Sequence, residues 1–180
     1  DKPPQQEALK KVFSTADHES GINMYLANPT RIDHMRRHYY AKVTTVDEKI
    51  GEVLNALENR GYLDNSLVIF CSDHGENLGD HGMAYKWLMY DSITHIPLII
   101  RYPNGDQRGN HVHDLVSLLD LGPTILEAAG IPIPTYLDGC SLMNYSKPDE
   151  AVNPRHYIFC EDNYQIMMRS KTHKLVYYIA

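Results

Sequence analysis

The residues of this chain best equipped for chemistry lie in one stretch, Leu67–Lys86, which reads LVIFCSDHGENLGDHGMAYK. Asp73 and His74 are consecutive, and together they offer a hard carboxylate oxygen and a neutral imidazole nitrogen, a donor pair suited to a divalent cation. The glycines Gly75, Gly79 and Gly82 let the loop bend close to a bound anion, and Lys86, thirteen residues after Asp73, brings a compact positive charge. The same residue types also fit a plainer arrangement, with Asp73 capping a turn, His74 bonded to a local carbonyl and Lys86 solvated at the surface. His81 and His95 sit in the same loop and can line a site, His81 by orienting Asp73 or the loop backbone.

These side chains need elements to hold them. Leu67, Val68, Ile69 and Phe70 form an unbroken apolar run, which predicts a strand buried on both faces of a parallel sheet. Asp73 and His74 then project from the carboxyl end of that strand, where open α/β sheets place their ligands. Upstream, Asn28 and Pro29 read as the N-cap and first residue of a helix. Val43, Val46, Ile50, Val53, Leu54 and Leu57 recur at three- and four-residue steps until Gly61, so the helix is expected to cover the sheet. Tyr62-Leu63-Asp64-Asn65 turns into the strand, completing an α-then-β unit that implies a parallel neighbour. A second strand reads Ile96–Tyr102, and the long loop between the two carries Asn77, Asp80, His81, Lys86 and His95.

Elsewhere the pattern is weaker. Residues 1–28 read as an irregular lead-in with one short helix around Glu7–Ser14. Val112–Val116 predicts a short strand, and Leu118–Ala129 a helix closed by Gly130, with Pro132 preventing its continuation. Ile131–Asp149 is a connector rich in Pro, Gly, Asp and Ser. Short runs near His156–Cys160, Gln165–Arg169 and Lys174–Ile179 predict an antiparallel meander.

The chain has 180 residues, enough for a domain that buries about 70% of its unfolded surface. Its net charge of −6 and its lack of Lys or Arg runs argue against a nucleic-acid surface or an anionic membrane as the main partner. No apolar run approaches the roughly 20 residues of a membrane-spanning helix. Asp1 is not an initiator methionine and no targeting segment is visible, so the start of the protein is expected to be missing and the compartment is left open. Cys71, Cys140 and Cys160 are too few and too scattered for a disulfide framework or a C-x-x-C zinc site. His34, His38, His111, His113, His156 and His173 have no partner motif and read as surface or satisfied core residues.

At Cys71–Pro103 the chain reads CSDHGENLGDHGMAYKWLMYDSITHIPLIIRYP. This resembles the sulfatase family of the alkaline phosphatase superfamily, whose members carry a hydrophobic strand, S-D-H-G or S-D-N-G, a G-(D/E)-H-G turn, a lysine and a segment ending in (H/R)-(I/V)-P-L-I. Tyr39-Tyr40-Ala41-Lys42-Val43 through Asp47 and Gly51 is similar to the helix before that strand. Leu118–Thr124 and Leu137-Asp138-Gly139 are similar to later segments, so the resemblance covers about residues 30–180.

The resemblance implies an α/β fold: part of a mixed, mainly parallel sheet flanked by helices, followed by a small antiparallel C-terminal subdomain. Residues 1–145 would form the C-terminal half of the catalytic domain and residues 146–180 the subdomain. It implies that Asp73 and His74 bind a divalent cation, calcium by family habit with Mn2+ or Mg2+ as alternatives, and that Lys86 contacts the anionic oxygens of the ester. The nucleophile of such sulfatases is a formylglycine made from the cysteine of C-x-P-x-R, and none of Cys71, Cys140 and Cys160 has Pro and Arg at those offsets. The expected activity is hydrolysis of a small-molecule or saccharide sulfate monoester by a longer parent, the nucleophile coming from outside this chain. A homo-oligomer is compatible with it, and the 180 residues alone are expected to be inert and to self-associate. Because His stands where many members have Asn, a phosphonate monoester or phosphodiester hydrolase is an alternative, as is a binding module that keeps the fold without the chemistry.

Overall fold

Helix α1, Pro29–Asn59, starts where Asn28 Oδ1 accepts the Thr30 N–H at 3.0 Å, with proline, which has no N–H to leave unpaired, at the first helical position. It ends at Gly61, whose φ of 70° suits a residue without Cβ. There the Gly61 N–H bonds the Glu58 carbonyl at 2.9 Å and the Tyr62 N–H bonds the Leu57 carbonyl at 3.0 Å, closing two carbonyls the helix leaves open. The structure, a computed structural model, describes residues 28–105, 109–147, 154–162 and 164–179. The lead-in, with the helix expected at Glu7–Ser14, lies outside the described residues.

The apolar face of α1 does not do what its periodicity predicts. Val43, Val46 and Val53 are exposed, Ile50, Leu54 and Leu57 are half-buried, and α1 contains no buried residue. The burial expected of this face is therefore not found at these positions among the described residues. Periodicity marks a face able to pack, but burial also needs a partner surface.

Strand β1, Val68–Cys71, ends in the loop that carries Asp73 and His74. Two short strands follow, β2 at Asn77–Leu78 and β3 at Ala84–Tyr85, then the short helix α2 at Asp91–Thr94 and strand β4 at Leu98–Arg101. β1 pairs antiparallel with β4, Ile69 opposite Ile100 and Phe70 opposite Ile99. The parallel neighbour and the two-sided burial expected for β1 are both corrected among the described residues: the partner is antiparallel, Phe70 is 38% exposed and Ile99 63%. An apolar run reports that a strand can be buried, not which way its neighbour runs. The α/β class itself holds.

The chain divides into two units, one made of residues up to Leu54 with His74–His95 and the other of Asn55–Asp73 with residues from Ile96 on. In the first, β2 and β3 form a hairpin, Asn77 opposite Tyr85 and Leu78 opposite Ala84, over a small core of Met83, Leu88, Met89 and Ile93. Arg36 ties this hairpin to α1, with Nε donating to the Leu78 carbonyl at 2.8 Å and Nη2 to Asp80 Oδ1 at 2.9 Å.

In the second unit, helix α3, Leu121–Ala128, is preceded by a 3-10 turn at Leu118–Asp120, so the helix expected over Leu118–Ala129 starts later than its pattern predicts. Ser117 and Asp120 form a capping box at that turn. The strand expected at Val112–Val116 reduces to one bridge, Leu115 to Arg155. The meander is present as predicted: β5, Ile158–Glu161, β6, Gln165–Arg169, and β7, Lys174–Tyr178, pair antiparallel in that order. Asp120, 1% exposed, organises the unit. It accepts from Arg155 Nη1 and Nη2 at 2.7 and 2.6 Å, and from the N–H groups of Ser117 and Cys140, each at 2.8 Å. No helix among the described residues is long and apolar enough to cross a membrane.

Candidate functional site

The backbone after β1 is pinned before it can carry chemistry. The Gly75 N–H bonds the Ile93 carbonyl at 2.8 Å and the Glu76 N–H bonds the Ser92 carbonyl at 3.1 Å, so the strand-end loop lies against α2. A Cβ on Gly75 would sit 1.8 Å from the Ser92 carbonyl oxygen, and that close approach is why glycine follows His74. Asp73 is exposed, with Ser72 Oγ at 3.5 Å from its Oδ1.

His74 is oriented from both ring nitrogens. Nδ1 lies 2.8 Å from the Gly75 carbonyl oxygen and Nε2 lies 2.5 Å from Lys86 Nζ. An ammonium only donates, so Nε2 is the accepting nitrogen and Nδ1 carries the proton that goes to the carbonyl. This tautomer, with Nδ1–H on a backbone carbonyl and a directed Nε2 lone pair, is the form in which imidazoles bind cations.

The structure thus brings His74 and Lys86 together across twelve residues of sequence, with Asp73 peptide-bonded to His74. Lys86 is delivered by a strained neighbour: Tyr85 has φ 67°, in the left-handed region that a bulky side chain rarely adopts. His81 shares that region at φ 56°, and its ring stacks on Tyr90 with centroids 3.7 Å apart. His95 caps the end of α2 through its backbone, and its side chain is exposed. Non-glycine residues held in this conformation concentrate at functional sites, where the surrounding structure enforces them.

Glu76 is a residue that the sequence reading passed over. Burial pushes its carboxyl above the usual range, against the opposing pull of the Tyr85 and Asn77 N–H groups and of the Lys86 ammonium. A carboxylate two residues beyond His74, in the same loop, is the signal that could have found it.

As a cation site the residues fit in part. Asp73 and His74 are two suitable donors and the His74 tautomer is correct for ligation, but no group of three or more His, Cys, Asp or Glu converges among the described residues. Calcium takes about 6–8 oxygen ligands, more than this pair can supply.

The family profile described as Sulfatase matches residues 2–131. Arylsulfatase K of Bos taurus is 43% identical over 112 residues, 62% of this chain and 21% of that protein. Among solved structures, BT4656 in complex with its substrate D-glucosamine-2-N,6-O-disulfate is similar with a TM-score of 0.71 and 27% identity, covering 98% of this chain and 39% of that one. The phosphonate monoester hydrolase of Agrobacterium radiobacter has a TM-score of 0.74 and 28% identity, covering 82% of this chain and 34% of that one. The chain spans well under half the length of each of these proteins. The profile match runs through α1, β1 and the whole loop to β4 and takes in more than half of the chain: the chain belongs to the sulfatase family.

Proposed function

We propose that this chain is part of a metal-dependent sulfatase that hydrolyses sulfate monoesters, saccharide sulfates among them, with Asp73 and His74 as metal ligands and Lys86 as a contact to the sulfate. The observation that supports this most is the His74–Lys86 pair at 2.5 Å, next to the strand-end Asp73. Attack on a sulfate ester loads charge onto the nonbridging oxygens, and an ammonium placed there lowers the barrier by neutralising it. When bound, the cation would supply Lewis-acid stabilisation to the same oxygens and to the leaving oxygen. The work of this chain is positional. Gly75 allows the loop to lie on α2, the Gly75 carbonyl holds the His74 proton on Nδ1, and Lys86 stands ready at the Nε2 lone pair.

The family's formylglycine would come from the rest of the natural chain, since the three cysteines here lack its motif. The metal is taken as calcium, with manganese or magnesium as alternatives; a second reading, phosphonate monoester hydrolysis, is favoured by His at position 74 and by the likeness to a hydrolase of that class. The test is Asp73→Asn in the protein at its full natural length, assayed for bound metal by elemental analysis and for turnover of p-nitrophenyl sulfate and phenyl phosphonate esters. Loss of most of the metal and activity is expected. Stoichiometric metal with normal turnover in the variant would reject the ligand role, and a preference for the phosphonate ester would select the second reading.

A further inference from the structure

Lys86 owes its place to a hairpin too small to hold itself. β2 and β3 pair only as Asn77 with Tyr85 and Leu78 with Ala84, and an isolated two-stranded hairpin is marginal in water even when its strands are longer. Tyr85, the residue before Lys86, is held at φ 67°, a conformation that persists only where the surroundings enforce it. Relaxation of Tyr85 to a negative φ would turn the root of the Lys86 side chain away from His74. The aim of the ammonium therefore depends on contacts from outside the hairpin.

The turn at residues 79–82 supplies them, within the same unit as His74 and Lys86. On α1, Ile32 and Arg36 are four residues apart and share a face. A Cβ at Gly79 would come within 2.9 Å of Ile32 Cγ2, so the missing side chain is what lets the turn lie on the helix. Arg36 grips the same turn with two arms of its guanidinium, Nε donating to the Leu78 carbonyl at 2.8 Å and Nη2 to Asp80 Oδ1 at 2.9 Å. The Gly79 N–H bonds the Met83 carbonyl at 2.9 Å, which carries the hold from β2 across to the residue before β3. Towards α2, Ser92 Oγ donates to Asn77 Oδ1 at 2.7 Å and the His81 ring stacks on Tyr90. Elsewhere Leu78, Ala84 and Tyr85 border an open groove of about 680 Å³ opposite Met35, His38 and Tyr39, so there the hairpin meets α1 across a gap and not by packing.

The Arg36–Asp80 pair lies at the surface, with side chains 41% and 53% exposed, and such pairs contribute little to stability. Its consequence is positional, because a misplacement of about 1 Å in a group that meets the reacting atoms costs about 10²-fold in rate. We propose that Arg36 is a positioning residue for the reaction: by holding the 79–82 turn on α1 it keeps Tyr85 in its left-handed conformation and Lys86 aimed at the place beside His74. This rests on the sulfatase reading above, in which Lys86 meets the ester, and adds the residue that places Lys86. A lysine at position 36 would keep the charge but not the planar fork that reaches carbonyl and carboxylate together.

The test is a double-mutant cycle in the protein at its full natural length, with kcat/KM read on p-nitrophenyl sulfate or, where the wild type prefers it, a phenyl phosphonate ester. Arg36→Ala is expected to lose about ten-fold or more with its urea midpoint unchanged. In a Lys86→Ala background the same substitution is expected to cost nothing further, because the group it places is already gone. Arg36→Lys recovers only part of the rate. Asp80→Ala, which removes one of the two bonds from an exposed turn residue, shows a smaller loss with the same dependence on Lys86. Arg37→Ala removes a neighbouring positive charge of α1 and leaves the rate at the wild-type value. Crystal structures of the wild type and Arg36→Ala are expected to differ by more than about 1 Å in the place of Lys86 Nζ relative to the His74 ring. Normal turnover in Arg36→Ala, losses that multiply in the double variant, a lowered midpoint that accounts for the lost rate, or a Lys86 Nζ that stays in place would each overturn the proposal. If the wild type hydrolyses neither ester, the sulfatase reading falls, and the displacement of Lys86 alone decides the role of Arg36.

Discussion

Two charged clusters in this chain are built on opposite principles. Around Asp120 every acceptor position is filled: two guanidinium donors from Arg155 and two backbone N–H groups hold a carboxylate that is 1% exposed. Around His74 the ring is oriented by one backbone carbonyl, and the lone pair it leaves is met by the ammonium of Lys86, an exposed residue on a flexible stem. A buried charge with saturated bonding has no capacity left for a ligand and serves to join segments. An oriented lone pair facing a movable ammonium can exchange its partner, and that capacity suits a reaction site.

The comparison can be broken first at Asp120. Arg155→Ala leaves the carboxylate buried with half its donors gone, and the expected loss of stability is about 3–5 kcal/mol, read by urea denaturation. A loss under about 1 kcal/mol would mean that water replaces the guanidinium freely, and the cluster would then be no more structural than the one at His74.

Lys86→Ala tests the other side. In the protein at its full natural length it is expected to lower kcat/KM on a sulfate ester by about 10²-fold, or about 2.7 kcal/mol of barrier, with the unfolding midpoint unchanged. Lys86→Arg is expected to recover only part of the rate, since a planar fork does not reproduce a compact ammonium. If Lys86→Ala lowered the midpoint as Arg155→Ala does while turnover stayed normal, the assignment of roles would be inverted.

The smallest effect sharpens the contrast within the structural unit. Tyr145 donates to Asp114 Oδ2 at 3.0 Å, and Asp114 Oδ1 accepts from Lys171 at 2.6 Å. Burial, and then the bond to Asp114, push the Tyr145 hydroxyl up from 10.0 to about 12. A raised value in the folded state means that folding retains a proton the unfolded chain releases. The stability tied to this group is therefore complete below pH 10.0 and is lost as pH rises towards about 12. Tyr145→Phe is expected to cost about 1 kcal/mol at neutral pH and to flatten that alkaline decline. An unchanged slope in the variant would show that the decline comes from other groups.

Local signals in the sequence determined a good deal. Asn28-Pro29 and Gly61 bound α1 to within two residues because caps depend on nearest neighbours, and the three runs after His156 foretold the meander because alternation is a property of each strand alone. The Asp73-His74 pair and Lys86 were legible as a motif, since the residue types needed to hold a cation and an anion are few. Tertiary structure decided the rest. That β1 takes an antiparallel partner, that Val43, Val46 and Val53 of α1 are exposed, and that Arg155 closes on Asp120 across thirty-five residues all depend on which surfaces meet, and spacing along the chain does not encode this. The same holds for the groove that His34 and His38 line, which exists because the hairpin lies opposite them. The tautomer of His74 is likewise a consequence of where the Gly75 carbonyl and the Lys86 ammonium come to lie, because a proton's position on an imidazole follows its partners in space rather than its neighbours in sequence.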